Sequence, residues 1–284
     1  MEGKFTNLPK ENQLKYLHLA NSWLGSCGSL DEREEILFSC YSLEKLCLQK
    51  FRLTPNIVDI IFIQNGKTLK VLNLSGCEGL TLQSIQLIVK NCVMLKEVNF
   101  SLTDLNTEAI DFLKFNLSPK IEKLSLWKNN NLTIKHNVNI EALLSHFKNL
   151  TALDLRSTRI TNTDLDYILD NLKSKLEILD ISHTNIHHLS NDEIQKIKSM
   201  PKLKYFNCNL DDQADGLMGM EFGIKNLKQK LSHLNHTSVS IGAPQLHWKE
   251  KDDEFWEIKA KQLDLFTKSK RSKDKMVKVK KCYV

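Results

Sequence analysis

An α/β solenoid, built from one short strand and one return helix per turn of the coil, is the fold this sequence predicts. Three observations carry it. A phrase of the form L-x-x-L-x-L comes round nine times, opening at Leu14, Leu43, Leu69, Leu95, Ile121, Leu150, Leu176, Leu203 and, in degraded form, Leu231. The openings recur every roughly 26 to 29 residues, which is the window of leucine-rich repeats. After each phrase the apolar residues change from a period of two to helical spacing. A horseshoe of this kind stacks its strands into a curved parallel sheet, keeps its helices on the convex side, and offers the concave face to another macromolecule. Binding is therefore the expected class of activity.

Residues 1–13 form a lead-in, too short to build a cap, and the solenoid is expected over 14–236. The first sheet edge is then expected to be bare unless something precedes it or a partner covers it. The third repeat shows the design best. In Leu69-Lys-Val-Leu72-Asn-Leu74-Ser-Gly76-Cys77, Leu72 and Leu74 point into the coil, while Val71, Asn73 and Ser75 face the concave side. Gly76 and Gly79 punctuate the turn, and residues 81–91 carry apolar side chains at helical spacing. In the fourth repeat Thr107 is the expected helix cap. Asp164, Leu165, Tyr167, Ile168 and Leu172 repeat the helical pattern in the sixth. The fifth repeat is lengthened by an asparagine-rich loop over 129–139, an insertion that maps to one face of the coil. The pattern wears out near Gly216–Gly223.

Composition narrows the function. The chain has 284 residues, 41% of them hydrophobic and 26% charged. Its longest apolar stretch, Ile57 to Ile63, is interrupted by Asp59, so no membrane span is expected. The first thirty residues lack the apolar run of a secretory signal, which points to the interior of the cell. Seven cysteines occur with no C-x-x-C pair; Cys40 and Cys92 sit three residues before repeat openings and read as packing thiols. Residues 265–284 form a basic tail expected to be disordered. From Lys268 onward eight basic side chains face the single acid Asp274, so this segment carries the chain's net charge of +6. Lys268, Lys270, Arg271 and Lys273 are a candidate nuclear-targeting cluster, implying both nuclear and cytoplasmic pools. Aromatic residues are not interleaved with it before Tyr283, so nucleic acid is not an expected partner.

Alternation assigns the concave positions. Trp127 stands out, a large aromatic beside Lys123 and Lys128 and one repeat from Arg156, with the composition of an interface anchor. It either meets a partner or packs under the chain's own tail. Asp154 and Asp180 fall in consecutive strands and, without a nucleophile or an enclosed pocket, read as solvated charges and not as paired catalytic carboxylates. His183, His187 and His188 near Asp180 and Asp192 lack metal-site spacing. No phosphate loop, triad order or zinc signature occurs, so neither a cofactor nor a metal nor catalysis is expected. The partner-binding set on the repeats is Trp127, Lys128, Asp154, Arg156, Asp180, His183 and Asn207.

With the repeats in register, three stretches carry a family resemblance. Leu72-Asn-Leu-Ser-Gly-Cys77 is typical of cysteine-containing repeats, and Cys92 followed by Leu95-Lys-Glu-Val-Asn matches their handover from helix to strand. The third is Ser240-Ile241-Gly-Ala-Pro244, a polar spacer, and Glu254-Phe-Trp256-Glu-Ile258-Lys259-Ala-Lys261. Together, over about residues 14–264, they resemble the F-box and leucine-rich-repeat class of ubiquitin-ligase receptors, closest to its S-phase kinase-associated branch. The resemblance implies that residues 237–264 fold back along the concave face. It further implies that face and tail dock a small cyclin-kinase regulatory subunit, which presents a phosphorylated cell-cycle regulator for ubiquitination. Glu254, Trp256, Ile258 and Lys259 join the partner-binding set on that basis. An F-box would recruit the Skp adaptor and cullin complex; Leu8-Pro9 resembles its opening, but no three-helix segment follows before Leu14. A scaffold that sequesters the same partners without ligase recruitment is the alternative.

Overall fold

The period-two leucines set the sheet. In the computed structural model, which describes residues 14–19, 37–38, 40–127, 140–186, 189–210, 236–241 and 276–278, each phrase becomes a short strand beginning two residues after its opening. These are β1 (Tyr16–His18), β2 (Lys45–Cys47), β3 (Val71–Asn73), β4 (Glu97–Asn99), β5 (Lys123–Ser125), β6 (Ala152–Asp154), β7 (Ile178–Asp180) and β8 (Tyr205–Leu210). All pair in parallel and in register, so Leu17, Leu46, Leu72, Val98, Leu124, Leu153, Leu179 and Phe206 form one buried ladder. Each such side chain contributes about 1.5–3 kcal/mol of burial, and none has a complete core without its neighbours.

Among the described residues six helices return the chain along the convex side: α1 (Pro55–Asn65), α2 (Leu82–Asn91), α3 (Thr107–Asn116), α4 (Ile140–His146), α5 (Asn162–Leu172) and α6 (Asn191–Lys198). Their starts are written in side chains. Thr81, Thr161 and Ser190 cap α2, α5 and α6, each in a reciprocal box with the residue three positions on. Helix α3 corrects the expected cap. Asn106, not Thr107, lies in extended backbone, and its Oδ1 accepts from the Ala109 N–H at 2.9 Å. Either residue type suits the position.

Two ends of the sheet differ from expectation. The ninth strand, β9 (His236–Ile241), pairs Tyr205 with His236, which registers the last phrase on Leu234 instead of Leu231. With leucines at both 231 and 234, the degraded phrase fits either frame, and the ladder selects the later one. Ser240 and Ile241, assigned to the tail by their resemblance, belong to this strand. At the other end β10 (Met276–Lys278) pairs in parallel with β1 through Tyr16↔Met276 and His18↔Lys278. The first edge is therefore not bare, and these three residues of the expected disordered tail are ordered. An unpaired strand edge presents a row of free N–H and C=O groups, which any extended segment satisfies.

Cys40 and Cys92 are buried packing thiols, as their spacing indicated. Burial pushes the Cys77 and Cys92 thiols up to about 12, far from thiolate reactivity.

The turn after the strand takes the same unusual backbone in five repeats. Lys50, Gly76, Leu102, Ser157 and His183 occupy the same position in five repeats, with φ between 51° and 67°. Only one is glycine. For the others the left-handed conformation costs about 1–2 kcal/mol each. Opposing that cost, Lys50 N–H, Gly76 N–H, Leu102 N–H and Ser157 N–H each donate to a carbonyl of the following repeat. Gly79 is tighter still: at φ +82, an added Cβ would stand 2.3 Å from the Leu53 carbonyl oxygen. Gly79→Ala is expected to destabilise the fold by about 1–3 kcal/mol, read as a lower urea midpoint. An unchanged midpoint would mean the turn yields freely.

Candidate partner-binding site on the concave face

The last residue of each strand decides the concave surface. Asn73, Asn99, Asp154 and Asp180 occupy this place in β3, β4, β6 and β7, and each turns its side chain back on its own backbone. Their Oδ1 atoms accept from the N–H two residues on: Ser75 and Ser101 at 2.9 Å, Arg156 and Ser182 at 3.1 Å. These are Asx turns, which end the strand while satisfying an N–H that the ladder no longer pairs.

Between β4 and β8 the same positions join sideways into a polar spine. Ser101 Oγ lies 2.5 Å from Ser125 Oγ, and Ser125 Oγ donates to Asp154 Oδ2 at 2.8 Å, so Ser101 supplies the proton to the first contact. Arg156 follows with Nε on Asp154 Oδ1 at 3.0 Å and Nη2 on Oδ2 at 2.9 Å, a two-point grip on the carboxylate two residues earlier. Its Nε also stands 3.7 Å from Asp180 Oδ2. Asp180 accepts further from Ser182 Oγ at 2.7 Å, Asn207 Nδ2 at 3.0 Å and, more weakly, the Tyr205 hydroxyl at 3.5 Å.

This overturns the reading of Asp154 and Asp180 as solvated charges. Asp154, Arg156, Asp180 and Asn207 are 1%, 6%, 5% and 1% exposed. Among the described residues one guanidinium serves both buried carboxylates. Burial raises the Asp180 carboxyl to about 6, helped by the Asp154 charge and opposed by Arg156 and by hydrogen bonds from Asn207 and Ser182.

Trp127 lies just past β5, half-buried, with the Arg156 guanidinium 4.3 Å from its ring centroid. The stack explains why a large aromatic stands at this turn. Arg156 is held by the carboxylates and covered by the indole, which stays partly exposed. The result is a rigid aromatic platform on a locked cation, the type of anchor that concentrates binding energy at interfaces.

The other expected residues divide. His183 is exposed, in the left-handed turn after β7. Lys128, His187, His188, Glu254, Trp256, Ile258, Lys259 and the cluster Lys268, Lys270, Arg271 and Lys273 lie outside the described residues, as does the 129–139 loop. Ser101, Ser125, Ser182 and Tyr205, which alternation places on the concave side, are spine members left out of the expected partner-binding set. For the serines the signal was present, since a small polar residue recurs at or two residues past the strand end in consecutive repeats. Among the described residues no three His, Cys, Asp or Glu side chains are grouped to hold a metal, and no helix is long and apolar enough to cross a membrane.

A parallel horseshoe with a pre-organised concave surface defines a leucine-rich-repeat protein whose fold is that of an interaction scaffold. Its family is more specific. Residues 2–263 match the family described as the SKP2 LRR domain, and the chain belongs to that family. The match runs past β9 and across Glu254–Lys259. Among solved structures, the leucine-rich repeat-containing protein LegL7 from Legionella pneumophila is similar at 16% identity and a TM-score of 0.46, over 78% of this chain and 72% of that one.

Two outcomes are expected of the spine. Arg156→Met leaves two buried carboxylates without a cation and should destabilise the fold by about 3–5 kcal/mol at pH 7 in urea unfolding. A loss below about 1 kcal/mol would show that the carboxylates are solvated after all. Separately, the folded-state value of Asp180 lies above its unfolded value of 3.8, so the native chain holds this proton more tightly. The contribution of Asp180 to stability therefore falls as pH rises from about 4 to about 6. Asp180→Asn should flatten that part of the stability profile; an identical slope would place the titration elsewhere.

Proposed function

We propose that this chain is the substrate-recognition component of a Skp/cullin/F-box E3 ubiquitin ligase. In this reading the concave face, together with the segment after β9, docks a small cyclin-kinase regulatory subunit carrying a phosphorylated cell-cycle regulator, which is thereby marked for proteasomal degradation. The family membership across residues 2–263, repeats and tail together, is the observation that carries it. The Trp127–Arg156 stack supplies the physical support: a fixed aromatic surface on a scaffold whose polar groups are already satisfied needs little ordering when a partner arrives.

The chain makes no bonds itself. It raises the local concentration of substrate near a conjugating enzyme held elsewhere in the assembly. Skp adaptor and cullin contacts belong to an F-box, so they pertain to whatever form of the protein carries one. The basic cluster Lys268, Lys270, Arg271 and Lys273 would direct the complex to the nucleus, where a cell-cycle receptor meets its clients.

Titration calorimetry of the 284-residue chain with the regulatory subunit, with the Skp adaptor run in parallel, tests the reading. The expected result is saturable binding of the subunit, weakened about tenfold or more by Trp127→Ala or Trp256→Ala with unchanged circular dichroism. Absence of binding would remove this partner. For localisation, replacing Lys268, Lys270, Arg271 and Lys273 with alanine leaves β10 untouched and should move the nuclear pool to the cytoplasm. An unaltered distribution would return the cluster to simple solvation.

A further inference from the structure

The two rims of the horseshoe differ in charge. Acids gather where helices begin, as Glu108, Asp164 and Asp192 do in the first turns of α3, α5 and α6. Lysines gather where helices end and the chain turns into the next strand. On this second rim Glu44, Glu122 and Glu177 are already engaged by Lys70, Lys96 and Lys204 at 2.6–2.8 Å. Lys67, Lys90, Lys148, Lys173 and Lys202 are exposed and form no ion pair among the described residues.

The helix dipole alone explains lysines at helix C-termini. It does not explain what accompanies them. Among the described residues the large apolar side chains left exposed are Tyr41 at 53%, Ile63 at 60%, Val93 at 53%, Met94 at 37% and Phe115 at 60%. All five lie on this rim: Ile63 and Phe115 in the last turns of α1 and α3, the others in the loops entering β2 and β4. Successive loops are clasped to one another, Asn65 Nδ2 to the Cys40 carbonyl, Ser118 Oγ to the Val93 carbonyl, Asn149 Nδ2 to the Pro119 carbonyl and Lys175 Nζ to the Lys148 carbonyl. Lys120 Nζ rests 3.9 Å from Met94 Sδ, so the cationic and apolar groups are interleaved. The rim is a continuous, fixed surface with an apolar stretch in the early repeats and unpaired cations extending beyond it.

An exposed apolar patch rimmed by polar groups marks an interaction site. We infer that this rim is a second docking surface, separate from the concave face, for an acidic polypeptide segment whose apolar side chains seat on Ile63, Val93, Met94 and Phe115. Charge complementarity selects an acidic occupant. The apolar stretch selects a polypeptide over a nucleic acid, whose phosphate backbone gains nothing from isoleucine, valine or methionine.

The probe is a fluorescent peptide of alternating acidic (Glu, Asp) and apolar (Leu, Phe) residues, titrated into the full chain, with duplex DNA and phosphatidylserine vesicles as parallel ligands. Two variants report on the rim: Lys67→Glu/Lys90→Glu/Lys120→Glu and Val93→Ser/Phe115→Ser. All these side chains are exposed, and unchanged circular dichroism serves as the folding control. The expected result is peptide binding that weakens with added salt, falls about tenfold or more in each variant, and is indifferent to Trp127→Ala. That indifference separates this rim from the concave site, whose partner should respond in the opposite way. No peptide binding, binding unmoved by both variants, or preference for DNA or vesicles would each overturn the inference. So would concentration-dependent self-association abolished by Val93→Ser/Phe115→Ser, which would assign the patch to a second copy of the chain.

Discussion

The strand-end carboxamide or carboxylate is the constraint on which the concave face depends. At this one position a side chain must stop a short strand, satisfy the N–H two residues on, and still offer an atom to the next repeat. Asn73 and Asn99 meet the first two demands while neutral. Asp154 and Asp180 meet them with charge, and the price is a cation: Arg156 sits between them because two buried carboxylates so placed are otherwise untenable. With Arg156 fixed, Trp127 lies over its guanidinium. The platform offered to a partner follows from what the backbone needs to turn the corner.

A solenoid spreads such a constraint along its axis. Ser101, Ser125, Asp154, Arg156, Asp180 and Asn207 come from five successive repeats, so the spine links units that otherwise share only leucines and backbone bonds. Low local dielectric strengthens each link and penalises every gap in it. The surface ion pairs, by contrast, such as Lys70 with Glu44 or Lys204 with Glu177, are exposed and add little to stability. Their consequence is to consume the acids on one rim and leave its other lysines unmatched.

The leucine ladder was legible in the sequence because side-chain direction on a strand alternates, and Leu72, Leu124 and Leu153 are buried as that predicts, although Asn73, Ser125 and Asp154 on the other side are buried as well. Alternation also placed Asp154 and Asp180 correctly on the concave side. It could not report that they fold back onto the amides of Arg156 and Ser182, since periodicity gives the side of the sheet and not the partner of a side chain. The same gap hid the stack of Trp127 on Arg156, a contact between repeats. Where two adjacent residues serve one role equally well, as Asn106 and Thr107 do at a helix start, or where Leu231 and Leu234 fit one phrase, local pattern is degenerate and the ladder decides. Nothing in Met276–Lys278 marks it as the partner of β1; the edge itself supplies the template.

Amide hydrogen exchange at Ser75, Ser101, Arg156 and Ser182 tests most directly whether strand-end side chains organise this face. If the Asx bonds hold as described, these four N–H groups exchange as slowly as those of the strands they follow, although they lie outside the regular ladder. Exchange at the rate of open loop amides, with the strand amides still protected, would contradict it, leaving the leucines to hold the coil and the concave polar groups to the solvent.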